Sequence, residues 1–369
     1  MAQILAAVKV DAGRMEIREF PEPEIAEDEA LLKVEAAGMC GAYEGFKGPG
    51  RRGRSDVIMG HENAGIIAKA GRVFKERNGV TEGDLVALEE YLPCMHCEWC
   101  RIGEYRHCWN GDPNNPESQS RFGGTSSQKA PHLWGGFAQY LYLPSNSVVH
   151  KLPSHVTADE AALALPIGNG VQWAHVEGEV GPGKTIVIQG PGPKGLGCTL
   201  AAKIYGAACI IVTGLTKDAT RLEAAKRLGA DYTIDVQKQD FSSTIRGIVG
   251  ERGVDAVVDC TSSHNPIIFT QSIDVLKRRG GIVVTQNYEL PNFPLSQLSS
   301  KYVTLRMCRG HSYSSVATGL EWIESGKYPL KEIITHNYPL AQADIACLTS
   351  GGEGEGAEEA VSVLINPWK

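Results

Sequence analysis

The pattern of apolar and polar positions changes character along the chain. Over residues 1 to about 160 the apolar residues fall in short runs, at 31–36, 64–70, 84–88 and 137–143, separated by Gly, Pro and Asn. Runs of this length between turn residues predict strands, and helical periodicity is scarce. From 160 to 310 strand-like runs alternate with helical stretches. Strands are expected at 185–189, 209–213, 232–235, 256–259, 281–285 and 303–307, with helices at 196–205, 219–228 and 265–277 among them. Such alternation requires right-handed crossovers and so a parallel, doubly wound sheet. The remainder holds an amphipathic helix at 315–325, a loop GGEGEG at 351–356 expected to be flexible, and a closing strand at 361–365. It is too short for a core of its own and is expected to pack back on the β-rich part. The expected fold class is therefore α/β: a discontinuous β-rich domain, 1–160 plus 310–369, and a doubly wound domain at 161–309.

The turn after the first strand of the doubly wound part reads GPGPKGLG. Gly190, Gly192 and Gly195 fit G-x-G-x-x-G between a strand and a helix, with Pro193 and Leu196 completing the turn. That is the arrangement of a dinucleotide site. Gly190 permits the tight turn, Gly192 lets a diphosphate reach the backbone, and Gly195 lets the helix pack close to the strand. The helix N-terminus then offers free N–H groups and partial positive charge to the phosphates.

Cys94, Cys97, Cys100 and Cys108 are spaced C-x2-C-x2-C-x7-C in a lobe at about 90–110. Four thiolates satisfy a tetrahedral zinc completely, which makes a structural site with no open position. An iron–sulfur cluster also accepts four cysteines. His96 and His107 lie in the lobe, but a full cysteine set leaves them no necessary role.

Composition narrows the partners. A net charge of −7 over 369 residues argues against a dedicated nucleic-acid binder. No apolar run is long enough to span a bilayer, and the opening MAQILAAVKVDAGRMEI lacks the basic leader and continuous apolar stretch of a secretory signal. A cytoplasmic protein is expected, in which clustered cysteines bind metal rather than form disulfides.

Further motifs stand in order along the chain: Cys40 in GMCGAYEGFKG, Gly60-His61-Glu62, G-D-x-V at 83–86, the cysteine lobe, GFAQY at 136–140 and the glycine turn. Together they resemble the zinc-containing medium-chain dehydrogenase/reductase family, the alcohol and polyol dehydrogenases. The resemblance covers nearly the whole chain. It implies a GroES-like catalytic domain beside a Rossmann domain, and hydride transfer between an alcohol or carbonyl substrate and NAD or NADP. It also implies a homodimer or homotetramer, with 303–307 as an edge for subunit pairing, and no nucleic-acid or membrane partner.

The resemblance makes Cys40 and His61 ligands of a catalytic zinc that polarises the substrate oxygen and lowers the pKa of the alcohol before hydride leaves its carbon. The family's usual third ligand falls at Leu165, which cannot ligate. Glu62, a ligand in polyol-dehydrogenase-like members, is expected to take its place. Ala42 and Tyr43 replace a hydroxyl and an acidic residue, so Tyr43, Glu44 or water is left to relay the alcohol proton, and Tyr43, with a lowered phenol pKa, is the one expected. Where the family's NAD-preferring members carry a carboxylate after the second strand, this chain has Gly214, followed by Thr216, Lys217 and Arg221. That leaves NAD and NADP both open with a lean to NADP, while Asp218 could reach the ribose instead. Arg51, Arg52 and Arg54 are candidates for the rim of the active site, and the polar segment 110–131 for a cover or a subunit contact. The alternative is a member without a working catalytic zinc that reduces an activated C=C or C=O bond, or a redox-inactive nucleotide-binding scaffold.

Overall fold

A computed structural model describes the chain except residues 1–2, 40, 49–55, 113–114, 116–120, 264, 287–292 and 294. It forms two compact units, Met1–Leu165 with Ser312–Lys369, and Pro166–His311.

The first unit is built from two sheets. In one, β1 (Gln3–Asp11) pairs antiparallel with β2 (Arg14–Pro21) through the turn at Gly13 and with the short β4 (Val57–Ile58). The other sheet is formed on β3 (Ala30–Gly38), β5 (Glu62–Ala70), β6 (Leu85–Leu88), β7 (Tyr140–Leu143) and β8 (Val149–Lys151). Val8, Leu32, Ile58, Phe137 and Leu141 are among the residues that pack its core with virtually no exposure. The expected strand at 137–143 starts three residues late. Phe137 instead donates its N–H to Met59 and accepts from Ala7, so residues 136–139 bridge the two sheets rather than joining either.

In the second unit the sheet is parallel throughout, with the strands 232–235, 209–214, 185–189, 256–259, 282–285 and 304–307 side by side in that order. Its strands are β9 (Thr185–Gln189), β10 (Cys209–Gly214), β11 (Tyr232–Asp235), β12 (Ala256–Asp259), β13 (Ile282–Thr285) and β14 (Thr304–Met307). Val187, Ile211, Val257 and Val283 are wholly buried under helices that contribute Phe241, Ile245 and Phe269. Parallel strands covered on both faces read as continuous apolar runs, which is why these strands fall within a residue of expectation. The helical stretch Ala164–Gly170, continued by a π-helical stretch Val171–Glu177, lies in a segment for which no element was expected.

The chain ends on β15 (Ile334–Pro339) and β16 (Ser362–Asn366), which return to the first unit's sheet as β16 pairs with β3. Before them, the helix Tyr313–Glu324 is capped by Ser312, whose side chain accepts from Ser315 N–H. Among the described residues no helix is long and apolar enough to cross a membrane.

Candidate active site and zinc lobe

Glu62 opens β5 with His61 immediately before it, and the backbone ahead of them is held from several sides. Gly60 adopts φ 91°, a conformation that favours glycine. Its carbonyl accepts from Gly136 N–H and from Asn63 Nδ2. A Cβ on Gly60 would stand 2.7 Å from the Phe137 ring, and one on Gly123 would stand 2.8 Å from the Gly60 carbonyl oxygen. His61 is half-buried, whereas Glu62 is only 2% exposed.

Glu62 pairs with Gly38 across β3 and β5. A Cβ at Gly38 would lie 2.5 Å from Glu62 Oε2, so the carboxylate occupies the space that any other residue at 38 would fill. A carboxylate this deeply buried needs a cation or donors close by. An imidazole and a carboxylate are donors of the kind a catalytic zinc accepts, and such a zinc takes three protein ligands with one further position for water or substrate. Cys40, the expected thiolate, lies outside the described residues, as do Arg51, Arg52 and Arg54. Leu165 is buried and apolar.

Tyr43 does not have the surroundings of a proton relay. Its ring packs over Gly351, where a Cβ would come within 2.1 Å of it, and its hydroxyl donates to the Glu353 carboxylate. That hydrogen bond holds the phenol above its ordinary value, the opposite of the expected lowering. The same contact, with the Lys47–Glu353 ion pair, ties down the GGEGEG segment expected to be flexible.

The described part of the segment 110–131 folds back on the first unit. Ser126 bridges to Val57, and the Ser127 N–H and hydroxyl both donate to the Asp56 carbonyl. Phe122 N–H donates to the Glu90 carbonyl, while Arg121 pairs with the Glu90 carboxylate at 3.1 Å. Gly123 then lies against the Gly60 backbone that precedes His61. Sequence reasoning missed this brace, because nothing in the spacing of Glu90 and Arg121 signals it.

The four lobe cysteines come together, each offering a sulfur within 4.8 Å of the others. Cys94 and Cys100 stand 3.8 Å apart and Cys97 and Cys100 3.4 Å apart. A tetrahedral zinc with Zn–S bonds of about 2.3 Å requires sulfur separations of roughly 3.8 Å, so the set fits the metal. Burial raises the Cys94 thiol, but the N–H groups of His96 and Cys97, together with the Cys108 and Cys97 thiols, outweigh this and bring it down to about 6. Burial pushes the Cys100 and Cys108 thiols up. His96 is exposed, and His107 lies near Glu104 and against the Trp99 ring.

In the second unit the glycine turn has the expected form. Gly190 adopts φ 93°, Gly192 caps the helix Pro193–Ile204, and a Cβ at Gly195 would strike the Gly190 carbonyl oxygen at 1.9 Å. A Cβ at Gly192 would meet nothing within 4 Å, so the backbone there is open to a ligand. Leu196 is buried and starts the helix by donating its N–H to the Gly192 carbonyl. These residues fit a dinucleotide diphosphate.

The loop after β10 is arranged differently from expectation. A side chain at Gly214 would be tight, since a Cβ would lie 3.0 Å from the Pro191 ring and 3.2 Å from Asp218 Cβ and both would have to give way. Asp218 accepts from Leu215 N–H and pairs with Arg221, whose side chain is 15% exposed. Arg221 therefore serves Asp218 rather than standing ready for a phosphate. Thr216 donates its hydroxyl to Asp235 at the end of β11, and Lys217 is exposed.

Two family models cover the two halves of this geometry: an alcohol dehydrogenase GroES-like domain over residues 26–154 and a zinc-binding dehydrogenase over residues 193–325. The probable alcohol dehydrogenase of Mycobacterium tuberculosis is 32% identical over 98% of each chain. The chain belongs to the zinc-binding dehydrogenase family. Sorbitol dehydrogenase of Bacillus subtilis is 33% identical over 92% of each chain. Among solved structures, an alcohol dehydrogenase of Thermotoga maritima superposes with a TM-score of 0.82 at 25% identity, covering 99% of this chain and all of that one. As a zinc-binding dehydrogenase the chain is an oxidoreductase that acts on the CH–OH group, with zinc and a nicotinamide dinucleotide as cofactors.

Proposed function

We propose that this dehydrogenase oxidises a hydroxyl of a small polyol or secondary alcohol, and reduces the matching carbonyl, at a catalytic zinc held by Cys40, His61 and Glu62. The observation that carries this reading is the burial of the Glu62 carboxylate in the space left by Gly38, directly after His61. Zinc at that position would supply Lewis acidity to the substrate oxygen, and the bound dinucleotide would take up the hydride. The chain's own residues hold the site: Gly60, Asn63 and Gly136 fix the backbone of His61, and Gly38 admits the carboxylate. Polyol substrates are favoured by the use of Glu62 in place of Leu165 and by the similarity to sorbitol dehydrogenases and to the D-arabitol-phosphate dehydrogenase of Enterococcus avium, 29% identical over 87% of this chain.

The lobe of Cys94, Cys97, Cys100 and Cys108 carries the structural zinc, and the turn Gly190–Gly195 the dinucleotide. Reduced thiolates in the lobe suit the cytoplasm. The protein pairs with copies of itself through β14. This strand is an edge of the parallel sheet, and it and its lead-in expose Tyr302 at 70% and Met307 at 62%. An edge strand with exposed apolar side chains is a template for strand pairing.

Metal analysis with an alcohol panel tests the reading. Two zinc ions per chain, and cofactor reduction on polyols or secondary alcohols with NAD or NADP, are expected. One zinc per chain with reduction of activated double bonds would favour the zinc-free alternative, and cofactor binding without turnover the scaffold. Light scattering of Met307→Lys, expected to give a smaller species than wild type, tests the pairing.

A further inference from the structure

The glycine turn carries a cation where a helix least favours one. With Gly192 as N-cap, Pro193 is the first and Lys194 the second residue of the helix Pro193–Ile204. A positive side chain in the first turn opposes the helix dipole and is unfavourable unless an anion sits there. Lys194 is nevertheless held in place. Its ammonium lies 3.8 Å above the centroid of the Trp173 ring. Trp173 is itself buried and fixed, donating its indole N–H to the Gly310 carbonyl at 3.0 Å. The π-helical stretch Val171–Glu177 that carries it is seated against the helix of the turn, because Gly170 and Gly197 allow backbone to meet backbone: a Cβ at Gly170 would lie 2.1 Å from the Gly197 carbonyl carbon.

The turn is also poor in donors. Pro191 and Pro193 have no N–H, and Gly190 N–H is spent on the Thr213 carbonyl at 2.9 Å. Among the described residues, the N–H groups of Gly192, Lys194 and Gly195 donate to no backbone carbonyl outside the helix, so the turn offers a diphosphate at most these three, fewer than a glycine-rich turn without prolines would. An ammonium with three donors on the adjoining side chain makes up that deficit.

We infer that Lys194, poised over Trp173, is a cofactor-positioning residue that pairs with the diphosphate of the bound dinucleotide and replaces the backbone donors lost to Pro191 and Pro193. The inference rests on the reading of Gly190–Gly195 as the dinucleotide site. It predicts that a large part of the cofactor affinity is electrostatic and centred on the diphosphate.

Calorimetric titration of the zinc-loaded protein with ADP-ribose, and adenosine competition against it, tests this without turnover. Lys194→Met keeps the stem over the indole and removes the charge. It should weaken ADP-ribose about tenfold at low salt, the loss of one charge-assisted hydrogen bond, and make the affinity less dependent on salt. Adenosine, which has no phosphate, should bind as it does to wild type, and Lys194→Arg should retain ADP-ribose affinity. The inference is overturned if Lys194→Met binds ADP-ribose with wild-type affinity and salt dependence, or if it loses adenosine and ADP-ribose equally, which would mark a structural brace. If wild type binds no ADP-ribose, the dinucleotide reading of the turn itself fails.

Discussion

Gly38 and Glu62 stand opposite each other on β3 and β5, with the Glu62 carboxylate 2.5 Å from where a Cβ of residue 38 would be. The strand pairing thus converts an absent side chain into space for a buried anion. Gly38→Ala should displace that carboxylate while leaving the sheet intact, since alanine suits a strand backbone. Zinc content is expected to fall from two ions per chain toward one, and kcat/KM on alcohols to drop on the order of 10- to 100-fold, the usual effect of disturbing the support of a metal ligand. Full metal content and activity in Gly38→Ala would remove Glu62 from the ligand set.

Tyr43 gives a prediction opposite to the one its position in the motif suggests. Because its hydroxyl donates to Glu353 and its phenol is held above the ordinary value of about 10, it carries no charge in the working range of the enzyme. Tyr43→Phe should therefore keep turnover within about twofold of wild type from pH 6 to 9, the loss being one exposed hydrogen bond. A pH–rate profile whose limb moves in Tyr43→Phe would restore the relay.

What could be read from the sequence and what could not divides along physical lines. The strands of the second unit were legible because Ile186–Ile188, Ile210–Val212 and Val257–Val258 are buried on both faces and leave continuous apolar runs. The cysteine lobe and the glycine turn were legible because their ligands lie close in sequence. By contrast, β2 alternates charged and half-buried residues and leaves little signal, although its pairing with β1 spans nearly its whole length. The stretch 164–177 contains Pro166, Gly168 and Gly170, residues that break a helical pattern, yet it is helical, and Gly170 lets its backbone meet that of Gly197. Gly38 beside Glu62, Arg121 on Glu90 and Lys194 over Trp173 join residues 21 or more positions apart. Register and topology bring them together, and no local spacing encodes them.

The loop after β10 separates two basic residues that looked alike in sequence. Arg221 is tied to Asp218 and largely covered, while Lys217 is exposed on the single turn Thr216–Asp218. Lys217→Ala is expected to weaken NADP several-fold with little change for NAD, as one exposed charge facing a 2′-phosphate would. Arg221→Ala should act on stability instead, by about 1–3 kcal/mol, since it leaves the buried Asp218 without its ion pair. Parallel titrations with NAD and NADP, together with denaturant melts of both variants, check the contrast.

Asp255 joins the ends of three segments of the second unit. It accepts from Thr185 N–H at 2.8 Å and pairs with Lys277 and, at 3.8 Å, with Lys184. Burial works against its charge, but Lys277, the Thr185 N–H and Lys184 outweigh it and hold the carboxyl below its usual value. A group whose pKa is depressed on folding stabilises the fold above its unfolded value, about 3.9, and loses that contribution as pH falls through the folded value. Asp255→Asn should therefore cost about 1–2 kcal/mol near neutral pH. The difference from wild type should stay constant down to pH 5 and shrink below pH 4, measured by denaturant unfolding at each pH. A difference independent of pH would assign the effect to packing rather than charge.

Metal removal from the cysteine lobe should reach beyond the lobe. The Gly103 carbonyl, inside it, accepts from Tyr313 N–H at 2.8 Å, and the Tyr313 ring stacks on His150, which is paired with the buried Glu89. The helix Tyr313–Glu324 thus begins on the lobe, and a lobe that loses its metal cannot hold that start. Four thiols without zinc would also bring burial costs that the metal normally offsets, because thiolate ligands and folding are linked through it. Cys97→Ser, which breaks the set at a half-buried position, is expected to lower the melting temperature by on the order of 10 °C and to leave one zinc per chain, with emission from the exposed Trp99 and Trp109 altered. Added zinc should restore wild-type protein stripped by a chelator but not Cys97→Ser. A variant that keeps two zinc ions and the wild-type melting temperature would show that Cys94, Cys100 and Cys108 hold the metal without Cys97.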